Sequence, residues 1–288
     1  GALAAASSQP YDIDVTNIYS TVNSFAGKVT RNGYIKLLEN PKVKEIYKPR
    51  IMKAFLSDSK SITNATNVWK LVYSGINVTG KGETVCVIDT GIDYTHPALG
   101  GCTSSQFTSG TCGKVIGGYD FVNNDNDPID DHGHGTHVAG IVASINQTYT
   151  GIAPQANLLA IKVLNSAGSG TTANVINGID WCVNNASKFN ISVISMSLGA
   201  GGYANSTYCD TSDPATADAI HNAIARNISV VVAAGNDGNL TGVSDPACIS
   251  NVTVVGSTTK TNQMSSFSDR WGLQMLVAPG SSIASAQN

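Results

Sequence analysis

The sequence predicts an α/β fold with a mainly parallel sheet covered by helices on both faces, preceded by a small α+β unit. Two observations carry this. Short, continuous apolar runs alternate with segments of helical spacing from about residue 69 onward. Strands that read as continuous apolar runs are buried on both faces, as in parallel sheets covered by crossover helices. Residues 11–55 read differently: they hold many of the lysines and lack that alternation. The length of 288 residues fits one large domain or two of roughly 150 residues.

Taken in order, Ile18–Val22 is β-like, followed by Phe25-Ala26-Gly27-Lys28-Val29. A short amphipathic helix ends near Asn40-Pro41, and Val43–Tyr47 reads as a further strand. Strand, helix, strand is expected here. Ser57 to Asn67 is a polar connector without apolar periodicity. The expected division is therefore 1–56 and 57–288. In the second part Thr84–Ile88 and Leu158–Leu164 are short buried strands. Asn174–Asn185 places Val175, Ile179, Cys182 and Val183 on one helical face. Ile191–Met196 is a strand. Asp213-Pro214 supplies the cap and first-turn residues of a helix whose apolar face is Ala217, Ile220 and Ile224. Ile228–Ala234 and Val252–Gly256 complete the strands.

Composition narrows the function. Net charge is −3, so no basic footprint argues for nucleic acid. No apolar run reaches the ~18–20 residues of a membrane span. None of the six cysteines forms a C-x-x-C pair, which disfavours zinc-ribbon and thioredoxin readings. Cys102 and Cys112 flank a short Ser/Thr/Gly loop and suit a disulfide. Cys209 and Cys248 lie in loop-like contexts and suit a second. Cys86 and Cys182 sit in apolar runs and read as buried small hydrophobes. Disulfides indicate an oxidising compartment. N-x-S/T occurs at Asn64, Asn77, Asn146, Asn185, Asn190, Asn205, Asn227, Asn239 and Asn251, all after residue 60. That distribution favours a secreted or cell-surface glycoprotein. Residue 1 is Gly, and Gly1 to Pro10 is small and apolar like the tail of a signal region, so a processed or truncated chain is expected.

In parallel sheets ligands bind beyond the carboxyl ends of strands, and chemistry-bearing residues sit there. Asp89 ends V-C-V-I-D before a Gly-containing turn, where a carboxylate can orient a histidine or merely begin the turn. Asp131-His132-Gly133-His134-Gly135-Thr136-His137-Val138-Ala139-Gly140 leads a histidine into a helix of small residues. A metal site from His132, His134 and His137 is the rival, but no H-E-x-x-H pattern supports it. Asn236 follows the strand end V-V-V-A-A-G, where its amide can donate to a developing oxyanion. Ser197-Leu198-Gly199 offers an extended edge to which a peptide can add as a strand.

Together, D-T-G at Asp89, H-G-T-H-V-A-G at His134, S-L-G at Ser197 and A-A-G-N at Asn236 resemble the subtilisin-like serine proteases, in that family's order. The resemblance runs from about Trp69 to Gly280. It implies a three-layer subtilisin-like fold and a secreted serine endopeptidase with an Asp-His-Ser triad. Asp89 would hold the imidazole, His134 would be the general base and Asn236 would donate to the oxyanion. Ser197, Leu198 and Gly199 would form one edge of the substrate cleft and Gly168, Ser169 and Gly170 the other. Ala233, Ala234 and Gly235 would line the primary specificity pocket. Residues 11–55 resemble the inhibitory propeptide of that family through F-A-G-K-V and L-L-E-N-P-K-V-K-E-I, with a junction expected in Ala54–Asp58. Implied partners are a peptide or protein substrate and the chain's own propeptide, and a monomer is expected.

Two departures stand out. The family's serine lies in Gly-Thr-Ser-Met-Ala soon after Ala-Pro-Gly. Here Ala278-Pro279-Gly280 is followed by Ser281-Ser282-Ile283-Ala284-Ser285-Ala286-Gln287-Asn288. The serine is expected beyond residue 288, and the chain as given is expected to be inactive. The alternative is a catalytically inactive extracellular glycoprotein of the same fold. The second departure concerns calcium: His96-Pro97-Ala98 carries Ala where the family's tight site has a ligand. Asp120, Asp125 and Asp127 instead resemble the ligand loop of a thermitase-like branch, a set of hard oxygens suited to calcium.

Overall fold

In a computed structural model, the described residues are 12–19, 24–46, 60–203, 207–272 and 275–287. The chain divides into two compact units, Gly1–Lys53 and Ala54–Asn288. The junction expected in Ala54–Asp58 lies outside the described residues.

In the first unit, β1 (Ile13–Tyr19) and β2 (Ser24–Val29) pair antiparallel, and α1 (Arg31–Leu38) follows. The order is thus strand, strand, helix. Thr30 caps α1, accepting from Gly33 N at 3.1 Å and donating to Asp12 Oδ1 at 2.9 Å. Lys36 from the last turn closes on Asp12 at 2.7 Å. The strand expected at Val43–Tyr47 is not found: residues 43–46 are irregular, and Tyr47 is outside the described set. Among the described residues no strand lies opposite 43–46, so this short segment with two charges has no ladder to join.

The second unit is built on a seven-stranded sheet. After a short helix α2 (Ala65–Val68) and a two-residue hairpin, β3 (Val72–Tyr73) with β4 (Ile76–Asn77), the sheet begins at β5 (Thr84–Asp89). It continues with β6 (Val115–Asp120), β7 (Asn157–Lys162) and β8 (Ile191–Met196). A separate two-stranded pair follows from β9 (Ala200–Tyr203) and β11 (Val243–Asp245), with β10 (Ser229–Ala233) between them in sequence. The sheet ends with β12 (Thr253–Thr258) and β13 (Leu276–Pro279). Its order is β13-β12-β10-β8-β5-β7-β6. Every pairing in it is parallel, so all carboxyl ends share one edge.

The strands predicted for the second unit are present with ends unmoved or moved by one or two residues, whereas the predicted Ile18–Val22 overlaps β1 only at Ile18–Tyr19, its remainder lying outside the described residues. β6 and β13 were not anticipated. Gly117-Gly118 interrupts the apolar run of β6, and Leu276–Pro279 is half exposed at the sheet edge.

Side chains alternate across a strand, and β5 shows it. Val85 and Val87 join a core with Val138, Ala139 and Ala143 of α4 (His134–Ala143). Cys86 and Ile88 face a second core with Ile179 and Cys182 of α5 (Thr172–Asn184) and Ile220 of α7 (Pro214–Ala225). A short α3 (Ser104–Thr108) packs near β6, and α6 (Ala186–Phe189) precedes β8. The sheet is therefore covered on both faces.

All six cysteines are paired. Cys102–Cys112 and Cys209–Cys248 form as expected, with Cα atoms 5.8 and 5.4 Å apart. Cys86 and Cys182 are not free hydrophobes. They join β5 to α5 across the core, Cα atoms 6.4 Å apart. An apolar run hides this, because a buried thiol and a buried half-cystine have the same neighbours.

Candidate active site

Asp89 ends β5 with no exposed surface, and His134 opens α4. His134 Nδ1 lies 2.7 Å from Asp89 Oδ1. The same oxygen accepts from Thr90 N at 2.7 Å, while Asp89 Oδ2 is buried without a partner. With Nδ1–H donated to a carboxylate, the neutral ring presents Nε2 as its lone-pair nitrogen. The hydrogen bond to Asp89 raises the imidazole above its ordinary value of 6.5, outweighing burial, and the charges of Asp89 and Asp130 add to the rise. The His134 side chain remains 45 % exposed, so the ring is accessible.

The approach of α4 to β5 depends on Gly135. A Cβ there would strike Gly91 O and come within 3.2 Å of Asp89 Cβ.

Asp130 orders the turn before α4. Its Oδ1 accepts from Thr90 Oγ1, His132 N and Gly133 N at 2.9–3.0 Å. Its Oδ2 accepts from Thr136 N at 2.8 Å and Thr136 Oγ1 at 2.6 Å. Burial would raise this carboxyl. The bonds from the Thr136 side chain and from the Gly133, His132 and Thr136 backbone outweigh it and hold the group below the usual carboxylate range. Thr90 Oγ1 also accepts from Gly135 N at 2.9 Å. Lys162, 1 % exposed at the end of β7, donates to Thr90 O, Asp131 Oδ1 and Leu164 O at 2.8, 2.5 and 3.1 Å. The ends of β5 and β7 and the turn before α4 are thus tied together.

Nothing in the sequence pattern pointed to Asp130 or Lys162. Both act through partners up to 72 residues away, and no periodicity encodes such a pairing.

A cleft of about 480 Å³ opens beside this pair. Gly168, Ser169 and Gly170 line it, as do Ser197, Leu198 and Gly199, together with His134 and Thr90. It lies where strands after β7 and after β8 diverge from β5, the reversal point at which doubly wound sheets bind ligands. Gly168 has φ +69°, and its Cβ would sit 3.0 Å from His132 Nε2. Ser197–Gly199 runs between the end of β8 and the start of β9.

The third group sits at the end of β10. Ala233 is its last residue, Ala234 is buried and Asn236 is exposed. None of Ala233, Ala234, Gly235 and Asn236 lines the cleft just described. Ala234 O accepts from Ser244 N at 2.8 Å, which brings β11 alongside. Gly235 has φ +116°, and a Cβ there would collide with Asp269 Oδ2 and Ser244 Oγ. Asp269, with no exposed surface, holds the turn by accepting from Asp237 N and Asn239 N at 3.0 and 2.8 Å. It is a positioning residue that the sequence did not announce.

The histidines do not gather as metal ligands. His134 is bound to Asp89, and His137 Nε2 lies 3.1 Å from Ile283 O. Among the described residues, the one group of three with metal-ligand spacing is Cys209, Asp245 and Cys248, and its cysteines form a disulfide. Asp120, Asp125 and Asp127 share one loop, but their carboxylate oxygens do not all lie within 4.8 Å of one another. Ca²⁺ takes oxygens at about 2.3–2.6 Å, so the three as placed do not converge on one ion. Each serves a local donor instead. Asp120 accepts from Val122 N and Asn123 N, Asp125 from Asp127 N, and Asp127 from the Tyr94 hydroxyl. No chemistry is routed through calcium here.

Among the described residues no serine hydroxyl is hydrogen-bonded to His134 Nε2. Ser281 Oγ pairs with Ser265 Oγ at 2.7 Å, and Ser285 Oγ donates to His137 O at 2.7 Å.

A model of the subtilase family matches residues 80–288. Serine protease AprX of Bacillus subtilis (strain 168) is 37 % identical over 258 residues, covering 87 % of this chain and 54 % of AprX. Alkaline serine exoprotease A of Vibrio alginolyticus is 36 % identical over 96 % of this chain and 49 % of its own length. Thermitase of Thermoactinomyces vulgaris is 40 % identical, over 72 % of this chain and 66 % of thermitase. The chain thus spans about half the length of the first two relatives. The crystal structure of a cold adapted subtilisin-like serine proteinase superposes with TM-score 0.62 at 36 % identity, covering 82 % of this chain and 76 % of that one.

Proposed function

The chain belongs to the subtilase family, and we propose that it carries the base and oxyanion groups of a serine endopeptidase, with none of its described serines hydrogen-bonded to His134 as the nucleophile. The observation that carries this is the 2.7 Å contact between His134 Nδ1 and Asp89 at the shared carboxyl edge, beside a cleft open to a peptide. His134 Nε2 would take the serine proton as the hydroxyl attacks the scissile carbonyl, and return it to the leaving amine. Asp89 would keep the ring in the right tautomer and stabilise the imidazolium. Asn236 would donate to the oxyanion, a role supported by the rigid turn that Asp269 holds behind it. The peptide would lie between Gly168–Gly170 and Ser197–Gly199.

The rest of the reading follows from the resemblance. Residues 1–56 would act as a propeptide. Three disulfides and the sequons support secretion, as a glycoprotein that works as a monomer. No helix among the described residues is long and apolar enough to cross a membrane. Calcium at the 120–127 loop is tested by calorimetric titration of the chain against Asp125→Ala, where equal heats exclude the loop.

The function is tested by peptide hydrolysis with the protein as its source makes it. His134→Ala and Asp89→Ala should abolish turnover without unfolding, and Asn236→Ala should cost about 10²–10³-fold in kcat. A native protein without hydrolytic activity would favour the noncatalytic reading.

A further inference from the structure

The cleft has a second polar feature that the triad does not use. Asp213 and Asp245 both line it, and no Lys or Arg does. Asp213 is the N-cap of α7, and its Oδ1 accepts from Thr216 N at 3.4 Å. Thr216 is 2 % exposed and lines the same cleft, and its hydroxyl has no partner. Asp245 ends β11, and its Oδ1 is buried and receives no donor, with the Asp213 carboxyl beside it. Leaving such groups unpaired costs about 1–3 kcal/mol each, more for a charge. That cost is recovered by a ligand that donates to both. A donor that also carries positive charge relieves the juxtaposed carboxylates.

The position of these groups says which ligand. Ser244, next to Asp245, is bonded to Ala234 O, so Asp245 adjoins the Ala233–Gly235 segment. Gly199, on the predicted peptide edge, would place a Cβ 3.1 Å from Asp245 O. Asp213 and Asp245 therefore line the same cleft as the Ser197–Gly199 edge along which a peptide would run. Resting on the reading of this cleft as a peptide site, we propose that Asp245, with Asp213 and Thr216, forms a subsite for the cationic side chain of a lysine or arginine in the bound peptide.

Burial, then the charge of Asp213 and its hydrogen bond, push Asp245 up to about 6. The other titratable groups lining the cleft are Asp213, His132 and His134. Cys209 and Cys248, near Asp245, are joined and do not titrate. Well above pH 6 Asp245 is anionic and favours a cation, and below pH 6 its protonation weakens the preference.

The test is fluorescence anisotropy with the 288-residue chain and two labelled peptides, Ala-Ala-Pro-Arg and Ala-Ala-Pro-norleucine. A charge-assisted pair predicts about tenfold tighter binding of the arginine peptide at pH 8. The preference should fall several-fold by pH 5, and Asp245→Asn should remove most of it. The pH series uses unaltered protein, so a misfolded variant leaves the test intact. Equal affinity of the two peptides at pH 8 overturns the subsite while leaving the peptide reading standing. Absence of binding by both overturns the peptide reading and the subsite with it.

Discussion

The two flanks of the cleft are held together in opposite ways. On the His134 flank, among the described residues, every buried side-chain polar atom but Asp89 Oδ2 has a partner. Asp130 accepts five hydrogen bonds, Lys162 makes three and Thr90 is used twice. On the flank after β8, backbone pairing of β9 with β11 and the Cys209–Cys248 bridge do the holding. There Thr216 Oγ1 and Asp245 Oδ1 are left without partners. A satisfied network fixes one geometry, as a general base requires, since small misplacements are costly in rate. Unpaired buried groups are rare, and a ligand is one way of satisfying them. The first flank thus fits the base proposed for His134, and the second the subsite proposed for a substrate side chain.

Breaking the first flank should have the largest effect. Asp130→Ala strands five donors, several of them buried, and should cost about 3–5 kcal/mol by urea unfolding, as when one partner of a buried charged network is removed. Loss below 1 kcal/mol would mean that the network does not organise the turn. The matching cut on the other flank is the double change Cys209→Ala, Cys248→Ala. It should cost about 2–4 kcal/mol yet leave the His134 resonance unmoved in NMR spectra. A shift of that resonance would show that the two flanks are coupled.

Gly135→Ala is smaller and more local. The new Cβ meets Gly91 O and Asp89, so about 1–3 kcal/mol of overpacking is expected. The diagnostic readout is a weakened downfield Nδ1 proton of His134. An unchanged proton signal would show that the helix accommodates the methyl without moving the ring.

The smallest effect is in pH dependence. The folded pKa of His134 is raised by its bond to Asp89. The pair therefore contributes stability in full below 6.5, and that contribution is lost as pH rises through the folded value. Because the ring is 45 % exposed, solvent screens the effect, and it is best read by NMR titration. Asp89→Asn should lower the His134 midpoint, and an unmoved midpoint would remove Asp89 from its proposed role.

Much of this comparison was legible in the sequence, but unevenly. Strands such as Ile191–Met196 announced themselves as apolar runs, and helix α5 by the spacing of Val175, Ile179 and Cys182. Asp89 and His134 were legible because each ends or opens such an element. Asp130, Lys162 and Asp269 were not, since a buried polar residue is defined by partners far along the chain. The same holds for Asp213 and Asp245. One was read only as a helix cap, and the other met it through the fold. Cys86–Cys182 was missed for a related reason: burial explained both residues before pairing was considered. Val43–Tyr47 failed in the other direction, where a β-like composition had no partner strand.

Asp89 and His134 are proposed to form a serine protease base, with none of the described serines as its nucleophile. Labelling the 288-residue chain with a serine-directed fluorophosphonate tests it most directly. The account predicts no adduct by intact mass at pH 8, in wild type and in His134→Ala alike. A stoichiometric adduct on wild type that disappears in His134→Ala would contradict it, because a serine within the chain would then be the nucleophile.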